Sequence, residues 1–562
     1  MLAGTMLSAA GASAQVTYDR LLNPEPENWL THNRTYDGHR YSPLDEINTG
    51  NVGGLRLAFA LPLIPQIPPG PFGAGLQSTA LVDDGVMFIT DGAGVLYRID
   101  VSSGEAAYIN WIMDPGTDPD TGGIINNRGA ALLGDLVYSL TRDGYLTATN
   151  AATGEVAWDI ATQIDPDEYF TMAPLALEDR IVFGPAGDAP MRGWMEARSA
   201  DDGEQLWHFW TVAGPGEPGG ETWPSDSDIY LSGASGLWTT GAYDPDTKRL
   251  YWGTANPTPF GDPALRPGDN LYSASLIVIN SDTGALEWYF QYTPQDQWDY
   301  DEIGSHQLYE VDGQARVTHF GRNGFTYVLD ATTGEFINGV PYVNELNWTA
   351  GLDPKTGMPV EYDPALASGG IQEYAIAPLF RGEMGNASDF VERACPNIQG
   401  GNNHWPTSFS ERTNLHYATA IEGCWGGEGD IGFGIGGPGR TTGSIVAADL
   451  DGNIAAKADL PVAPYGGQLT TAGGLLFASM TNGEFFAVDD TTLETLWRIN
   501  LGTAIDGPPV TYSVGGKQYV ALPVGHSGQS SGLINYPVLG DDPNAASLAN
   551  MQRSWMLYFF TL

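Results

Sequence analysis

A phrase that returns seven times, a near-constant spacing between its glycines, and a composition rich in Gly, Pro and Trp predict an all-β chain, an eight-bladed β-propeller with tryptophan-docking repeats. The phrase is a hydrophobic strand, an Asp or Asn, two or three small polar residues, a Gly and usually a Trp. In chain order the copies with Gly are VLYRIDVSSGEAAYINW (95–111), LTATNAATGEVAW (146–158), MEARSADDGEQLW (195–207), LIVINSDTGALEW (276–288) and FTYVLDATTGEF (325–336). IVAADLDGNIAA (445–456) is looser, and FFAVDDTTLETLW (485–497) keeps the Trp without the Gly.

Each copy reads as strand, tight turn, strand, because Gly supplies the positive φ that a short hairpin needs. Gly104 to Gly154 is 50 residues, Gly154 to Gly203 is 49 and Gly284 to Gly334 is 50. That period suits one four-stranded blade, and roughly 70 residues per blade over the chain gives about eight blades. The wider gaps, Gly203 to Gly284 and Gly334 to Gly452, leave room for loops or for blades lacking the phrase. Residues 15–562 are therefore one closed domain.

The chain of 562 residues carries 68 acidic and 24 basic side chains, a formal net charge of −44. This excludes nucleic acid as a partner, since phosphate binding needs clustered Lys and Arg. The acids are scattered, as on a solvated surface, and they can also steer a basic partner such as a cytochrome. No apolar run is long enough to span a membrane. Residues 1–14 end in Ala12-Ser13-Ala14, an A-x-A-type cleavage pattern, and read as the remnant of a secretory signal; the plain alternative is a disordered tail. Cys395 and Cys424 are the two cysteines, and in an exported chain they are expected to pair. No C-x-x-C-H motif is present to attach a haem.

The densest polar segment is 251–304. Asp299 and Asp301 flank Tyr300, and in an extended stretch residues i and i+2 point the same way. Two carboxylates on one side call for a cation between them, and Asn256, before Pro257, can add an amide oxygen. The plain alternative is that both acids shape a turn. Arg128 follows a Gly-rich stretch, Arg322 sits at a type I′-like Asn-Gly hairpin, and Trp238 precedes a turn. Taken singly, such arginines read as surface and such a Trp as inter-blade core.

Together the segments resemble the pyrroloquinoline quinone (PQQ) dependent alcohol dehydrogenases of the methanol dehydrogenase type, from about residue 28 to 530. The resemblance is strongest in LWTTGAYDPDTKRLYWGTANPTPF (237–260), RPGDNLYSASLIVINSDTGALEWYFQYTPQDQWDYD (266–301) and GGKQYVALPVG (515–525). It implies an eight-bladed propeller with the quinone in a central chamber. It implies Asp299 as catalytic base and metal ligand, Asn256 as metal ligand, and Arg322 as the basic residue beside the quinone carbonyls. Trp238 matches the residue on which the quinone stacks. Arg128 and Thr171 match residues binding the cofactor's carboxylates and oxygens, and Asn403 a polar residue near the reactive carbonyl. Cys395 and Cys424 match a structural disulfide.

Five positions depart from the family pattern. The metal-binding Glu is Asp188, a nearby Ser is Pro185, a cofactor-binding Glu is Gln77, and the adjacent-cysteine pair that covers the quinone is Gly122-Gly123. Asp301 matches the second acid of lanthanide-preferring members. The implied ion is Ca²⁺ or a lanthanide. The implied activity is oxidation of an alcohol in the periplasm, with electrons passing to a separate cytochrome c. A bulky or secondary alcohol is expected, such as a polyol, a polymer or a trichothecene-toxin hydroxyl, because Gly122-Gly123 and Asp188 suggest a roomier chamber. The alternatives are a small primary alcohol, methanol or ethanol, and a non-catalytic propeller of the assembly-protein kind.

Overall fold

A computed structural model describes residues 15–63, 75–117, 126–165, 168–186, 190–259, 261–378, 393–424, 441–525, 551 and 554–562. Eight four-stranded antiparallel blades are formed by these residues, and Tyr41–Ser42 adds a parallel edge to one of them, beside Leu469–Thr471. The first blade is Leu81–Asp83, Val86–Thr90, Leu96–Asp100 and Tyr108–Met113. The second runs from Ala130–Leu133 to Val156–Ala161, the third from Leu175–Ala176 to Gln205–Trp210, and the fourth from Ala242–Asp244 to Leu286–Gln291. The fifth runs from His306–Val311 to Phe336–Asn338, the sixth from Ser408–Ser410 to Ile454–Leu460, and the seventh from Leu469–Thr471 to Thr495–Asn500. In the first blade the first strand is wholly buried and the fourth mostly exposed, so first strands line the axis.

Each of the seven repeat phrases is the turn between the third and fourth strands of one of these seven blades. The eighth blade has no phrase because its third and fourth strands, Met556–Thr561 and Arg56–Pro62, come from opposite ends of the chain. Pairing them closes the ring. Among the described residues the wide gaps of the repeat hold loops, 211–241, 339–378 and 393–407, and no extra blade.

The glycine of the phrase has two reasons to be there. Gly154 and Gly284 have φ of +77° and +70°, and an added Cβ would lie 2.8 and 2.7 Å from the rings of Trp111 and Trp207 in the preceding blade. Those indoles donate to Ala151 O and Ser281 O at 3.2 and 2.8 Å, so each Trp docks on its neighbour's turn. The turn's acid or amide holds it from within: Asp330 Oδ1 accepts from the amides of Thr332 and Thr333, both at 2.9 Å. In the copy without Gly, Leu493 takes the left-handed conformation at φ +59°, at a cost of about 1–2 kcal/mol.

One stretch before the eighth blade's Arg56–Pro62 strand reaches the first strand of seven blades. Trp29 exchanges main-chain hydrogen bonds with Val82, Tyr36 OH donates to Ala176 O, and Tyr36 O, Asp37 O and His39 O accept from the amides of Tyr243, Leu308 and Phe409. Arg40 O and Glu27 O accept from Thr470 N–H and Ser513 N–H. A single segment can touch all these strands only by lying across the axis. The Arg40 guanidinium is wholly buried there, over the Trp29 ring at 5.0 Å, and donates to the carbonyls of His32, Gln468 and Pro509.

Candidate active site

Gln77, Arg128, Thr171, Trp238, the Asp299–Asp301 pair and Asn403 each lie just before the first strand of the first to sixth blades in turn. Asn256 follows the second strand of the fourth blade, Arg249–Gly253, and Arg322 follows the second strand of the fifth, Gln314–Phe320. In an antiparallel sheet the start of strand one and the end of strand two share an edge. All nine residues therefore gather at one end of the ring.

Seven of them form two contact groups, one around Arg128 and one around Arg322. In the first, Arg128 Nη1 donates to Thr171 Oγ1 at 2.7 Å and to Trp238 O at 3.0 Å, and its guanidinium lies 4.8 Å from the Trp238 ring centre. Arg128 is buried, and burial pushes it down to about 10. Trp238 itself is half-buried, so its ring is not inter-blade core, and neither Arg128 nor Arg322 is a surface residue.

In the second group Arg322 bridges both acids. Its Nη1 pairs with Asp301, and its Nη2 lies 3.2 Å from Asp299 Oδ2. Ile398 O accepts from Nε at 2.8 Å and also from Nη2. Asp301 accepts from the Asn256 amide at 2.6 Å, and the Trp238 indole nearby favours its charged form. Burial raises the Asp301 carboxyl above its usual range, and Arg322 and the Asn256 amide offset only part of that rise. Two carboxylates share one guanidinium, which leaves negative charge for a cation to balance.

Two local expectations change. Asp299 is not extended but has φ +68°, and the acids meet on Arg322 rather than by i, i+2 alternation. The Arg322 turn is not type I′. Among its residues Gly324 alone takes positive φ, at +95°, and its amide donates to Gly321 O at 3.0 Å, a type I turn followed by a left-handed glycine.

The donor set fits the implied groups. Asn256 Oδ1 is buried with no hydrogen-bond donor, the state of an oxygen left for a hard cation. Gln77 is buried with both amide atoms unpartnered, and Arg128 Nε is likewise unpartnered. Buried polar atoms are rarely orphaned, so these are placed to meet water or a polar ligand. Asn403 turns its amide onto Gln399 O at 3.0 Å and its Oδ1 onto the His404 amide at 2.8 Å. Asp188 and Gly122-Gly123 lie outside the described residues. Pro185 is described, and its carbonyl accepts from Leu237 N–H at 2.7 Å.

Two residues escape a reading of the sequence. His404 is buried with Nε2 unpartnered, its ring 5.9 Å from that of Trp238 and 4.9 Å from that of Tyr465. Burial, then Arg128 and Arg322, hold it well below the usual histidine range, so it is a neutral imidazole. Its place beside Asn403 is the one signal. Glu302 follows Asp301 and is wholly buried behind Arg322. The two cysteines form a disulfide, Cys395–Cys424.

A family profile for the PQQ glucose/ethanol/alcohol dehydrogenase β-propeller domain matches residues 29–344 and 442–520. The chain is 33% identical to the quinoprotein alcohol dehydrogenase PedH of Pseudomonas putida, over 100% of this chain and 96% of that one. Among solved structures, the quinohemoprotein alcohol dehydrogenase ADHIIG of Pseudomonas putida is 30% identical with a TM-score of 0.80, over 98% of this chain and 82% of that one. A europium-containing methanol dehydrogenase is 27% identical with a TM-score of 0.80, over 97% of this chain and 100% of that one.

Proposed function

The chain belongs to the PQQ-dependent alcohol dehydrogenases, and from that membership we propose how its residues divide the oxidation of an alcohol. The observation that carries the reading is that Asp299 and Asp301 pair with one buried arginine, while Asp301 also holds the main-chain amide of Asn256, whose side-chain oxygen is buried without a donor. Oxygens of Asp299, Asp301 and Asn256, with Asp188, would hold the cation, and an all-oxygen set suits Ca²⁺ or a lanthanide. Gln77, Arg128 and Thr171 would hold the polar edge of PQQ, Trp238 would offer its ring face, and Asn403 would stand near the reactive carbonyl. Once bound, PQQ supplies the hydride acceptor and the cation a Lewis acid.

The protein's own work is then acid–base and electrostatic. Asp299 takes the proton of the alcohol hydroxyl. Arg322 carries fixed positive charge where negative charge builds up. Its hydrogen bonds to Ile398 O and both acids fix it before reaction, so no reorganisation is needed. His404 adds a neutral hydrogen-bonding group beside Trp238.

The substrate we propose is a bulky or secondary alcohol, on the sequence departures at Gly122-Gly123 and Asp188. The proposed electron acceptor is a separate cytochrome c, drawn by a strongly acidic protein. The proposed compartment is the periplasm, supported by the Ala12-Ser13-Ala14 pattern and by a disulfide, which persists in oxidising surroundings. No helix among the described residues is long and apolar enough to cross a membrane.

Reconstitution with PQQ and either Ca²⁺ or La³⁺, then an alcohol panel with an artificial electron acceptor, tests the reading. The expected result is PQQ-dependent turnover with kcat/KM higher for secondary and bulky alcohols than for methanol and ethanol. A preference for methanol or ethanol rejects the substrate class, and turnover without PQQ or metal rejects the site assignment.

A further inference from the structure

Asp301 and Glu302 are consecutive, and they grip Arg322 from opposite ends. Asp301 takes the guanidinium. Glu302 takes the main chain: Oε2 accepts from Arg322 N–H at 3.0 Å and Oε1 from Asn323 N–H at 3.4 Å. The same Oε2 lies 2.9 Å from His319 Nε2. Glu302 and His319 are both fully buried, so neither can exchange these partners for water.

The proton count at this oxygen is set by its neighbours. His319 Nδ1 lies 3.1 Å from Ser305 O, a carbonyl that only accepts, so Nδ1 carries hydrogen. Glu302 Oε2 and His319 Nε2 therefore share one proton between them. Whichever atom holds it, the Arg322 amide still finds a lone pair on Oε2. An amide side chain could not serve both neighbours. Its oxygen would suit Arg322 N–H and oppose a bare Nε2, and its NH₂ would suit Nε2 and oppose Arg322 N–H. Behind this pair the His306 ring stacks on His319 at 4.2 Å and 5°, and His306 Nε2 lies 3.1 Å from Tyr292 OH. His319 has no room to turn away. Gly321 completes the fit, since an added Cβ would sit 2.6 Å from Asn323 Oδ1 and 3.1 Å from Glu302 Oε2.

We propose that Glu302, backed by His319, is a positioning residue for Arg322. It fixes the main chain from which the arginine departs, so that one guanidinium meets Asp299 and Asp301 together. Glu302 touches neither substrate nor cofactor. The inference rests on the role given to Arg322 above.

The test is a double-mutant cycle on the holoenzyme, reconstituted with PQQ and Ca²⁺: wild type, Glu302→Gln, Arg322→Lys and the two combined. Glu302→Gln is expected to lower kcat about 10- to 100-fold with KM for the alcohol within about threefold, the signature of a misplaced group rather than lost binding. On the Arg322→Lys background the same change is expected to cost less than about twofold, because the partner it acts through is already displaced. A near-normal kcat in Glu302→Gln overturns the proposal, as do losses that simply multiply in the double variant. PQQ affinity, read by quenching of tryptophan fluorescence, runs the same cycle without turnover. A wild type that binds PQQ but oxidises no alcohol rejects the proposed function, and the affinity cycle still decides the positioning role. Should Glu302→Gln fail to fold, His319→Phe removes the Nε2 contact while keeping a ring in the stack, and carries the same cycle.

Discussion

The Asn256 main-chain amide donates to Asp301 Oδ1 at 2.6 Å, while the Asn256 side-chain oxygen is buried with no donor. The first contact ties the end of a fourth-blade strand to the segment that enters the fifth blade. The second leaves a buried oxygen without a partner in a residue whose amide already holds Asp301. An unsatisfied buried acceptor costs about 1–3 kcal/mol, which a cation bound there would recover.

Asp299→Ala is expected to lower kcat by about 10² to 10⁴, the usual contribution of a positioned base. The variant also loses the Arg322 contact at 3.2 Å, so metal retention should be checked by elemental analysis. Near-normal turnover with saturating PQQ and metal would remove Asp299 from the role of base.

Asp301→Ala is expected to shift metal preference as well as rate. It frees the Asn256 amide and one side of Arg322, so kcat should fall with either ion. Losing one carboxylate weakens attraction to a trivalent ion more than to a divalent one. The La³⁺-to-Ca²⁺ activity ratio should therefore drop. An identical ratio in wild type and variant would show that Asp301 does not select the ion.

Replacing Cys395 and Cys424 by Ser is expected to destabilise the protein by about 3 to 4 kcal/mol, from a loop with a sequence separation of 29. The bridge also anchors the segment that backs the site, where Pro396 O accepts from Tyr300 OH at 2.7 Å and Ile398 O holds Arg322. PQQ affinity should fall along with the urea midpoint. Equal midpoints for oxidised wild type and the double Ser variant would contradict this.

Asp91 gives a prediction in pH. It is wholly buried in the first blade, where Oδ1 accepts from Ala93 N–H at 2.8 Å and Val95 N–H at 3.0 Å. Burial pushes it up to about 7 despite these donors. The unfolded carboxyl titrates near 3.9, at about the ordinary value, so the folded state binds the extra proton and stability falls as pH rises from about 4 through 7. Asp91→Asn keeps the shared acceptor and removes the charge. Its melting temperature should match wild type near pH 4 and exceed it at pH 8. A difference that is the same at both pH values would show that the buried carboxyl does not take up a proton.

The repeat, and with it the propeller, was legible in the sequence because each turn is written in contiguous residues. An Asp or Asn, a Gly at positive φ and a docking Trp act over a dozen positions, and seven such turns give the period. The eighth blade is not written that way. It forms from residues 56–62 and 556–561 only when the ring closes, so no local pattern announces it. The site divides along the same line. Asn256, Asp299, Asp301 and Arg322 stood out by residue type within phrases that resemble a known family. That the two acids share the Arg322 guanidinium, that Asp299 is left-handed, and that Glu302 and His404 belong with them depended on six blades bringing residues 77 to 403 to one end of the axis. Hydrogen bonds across such distances, like burial itself, are properties of the closed ring and are absent from any stretch of the chain read alone.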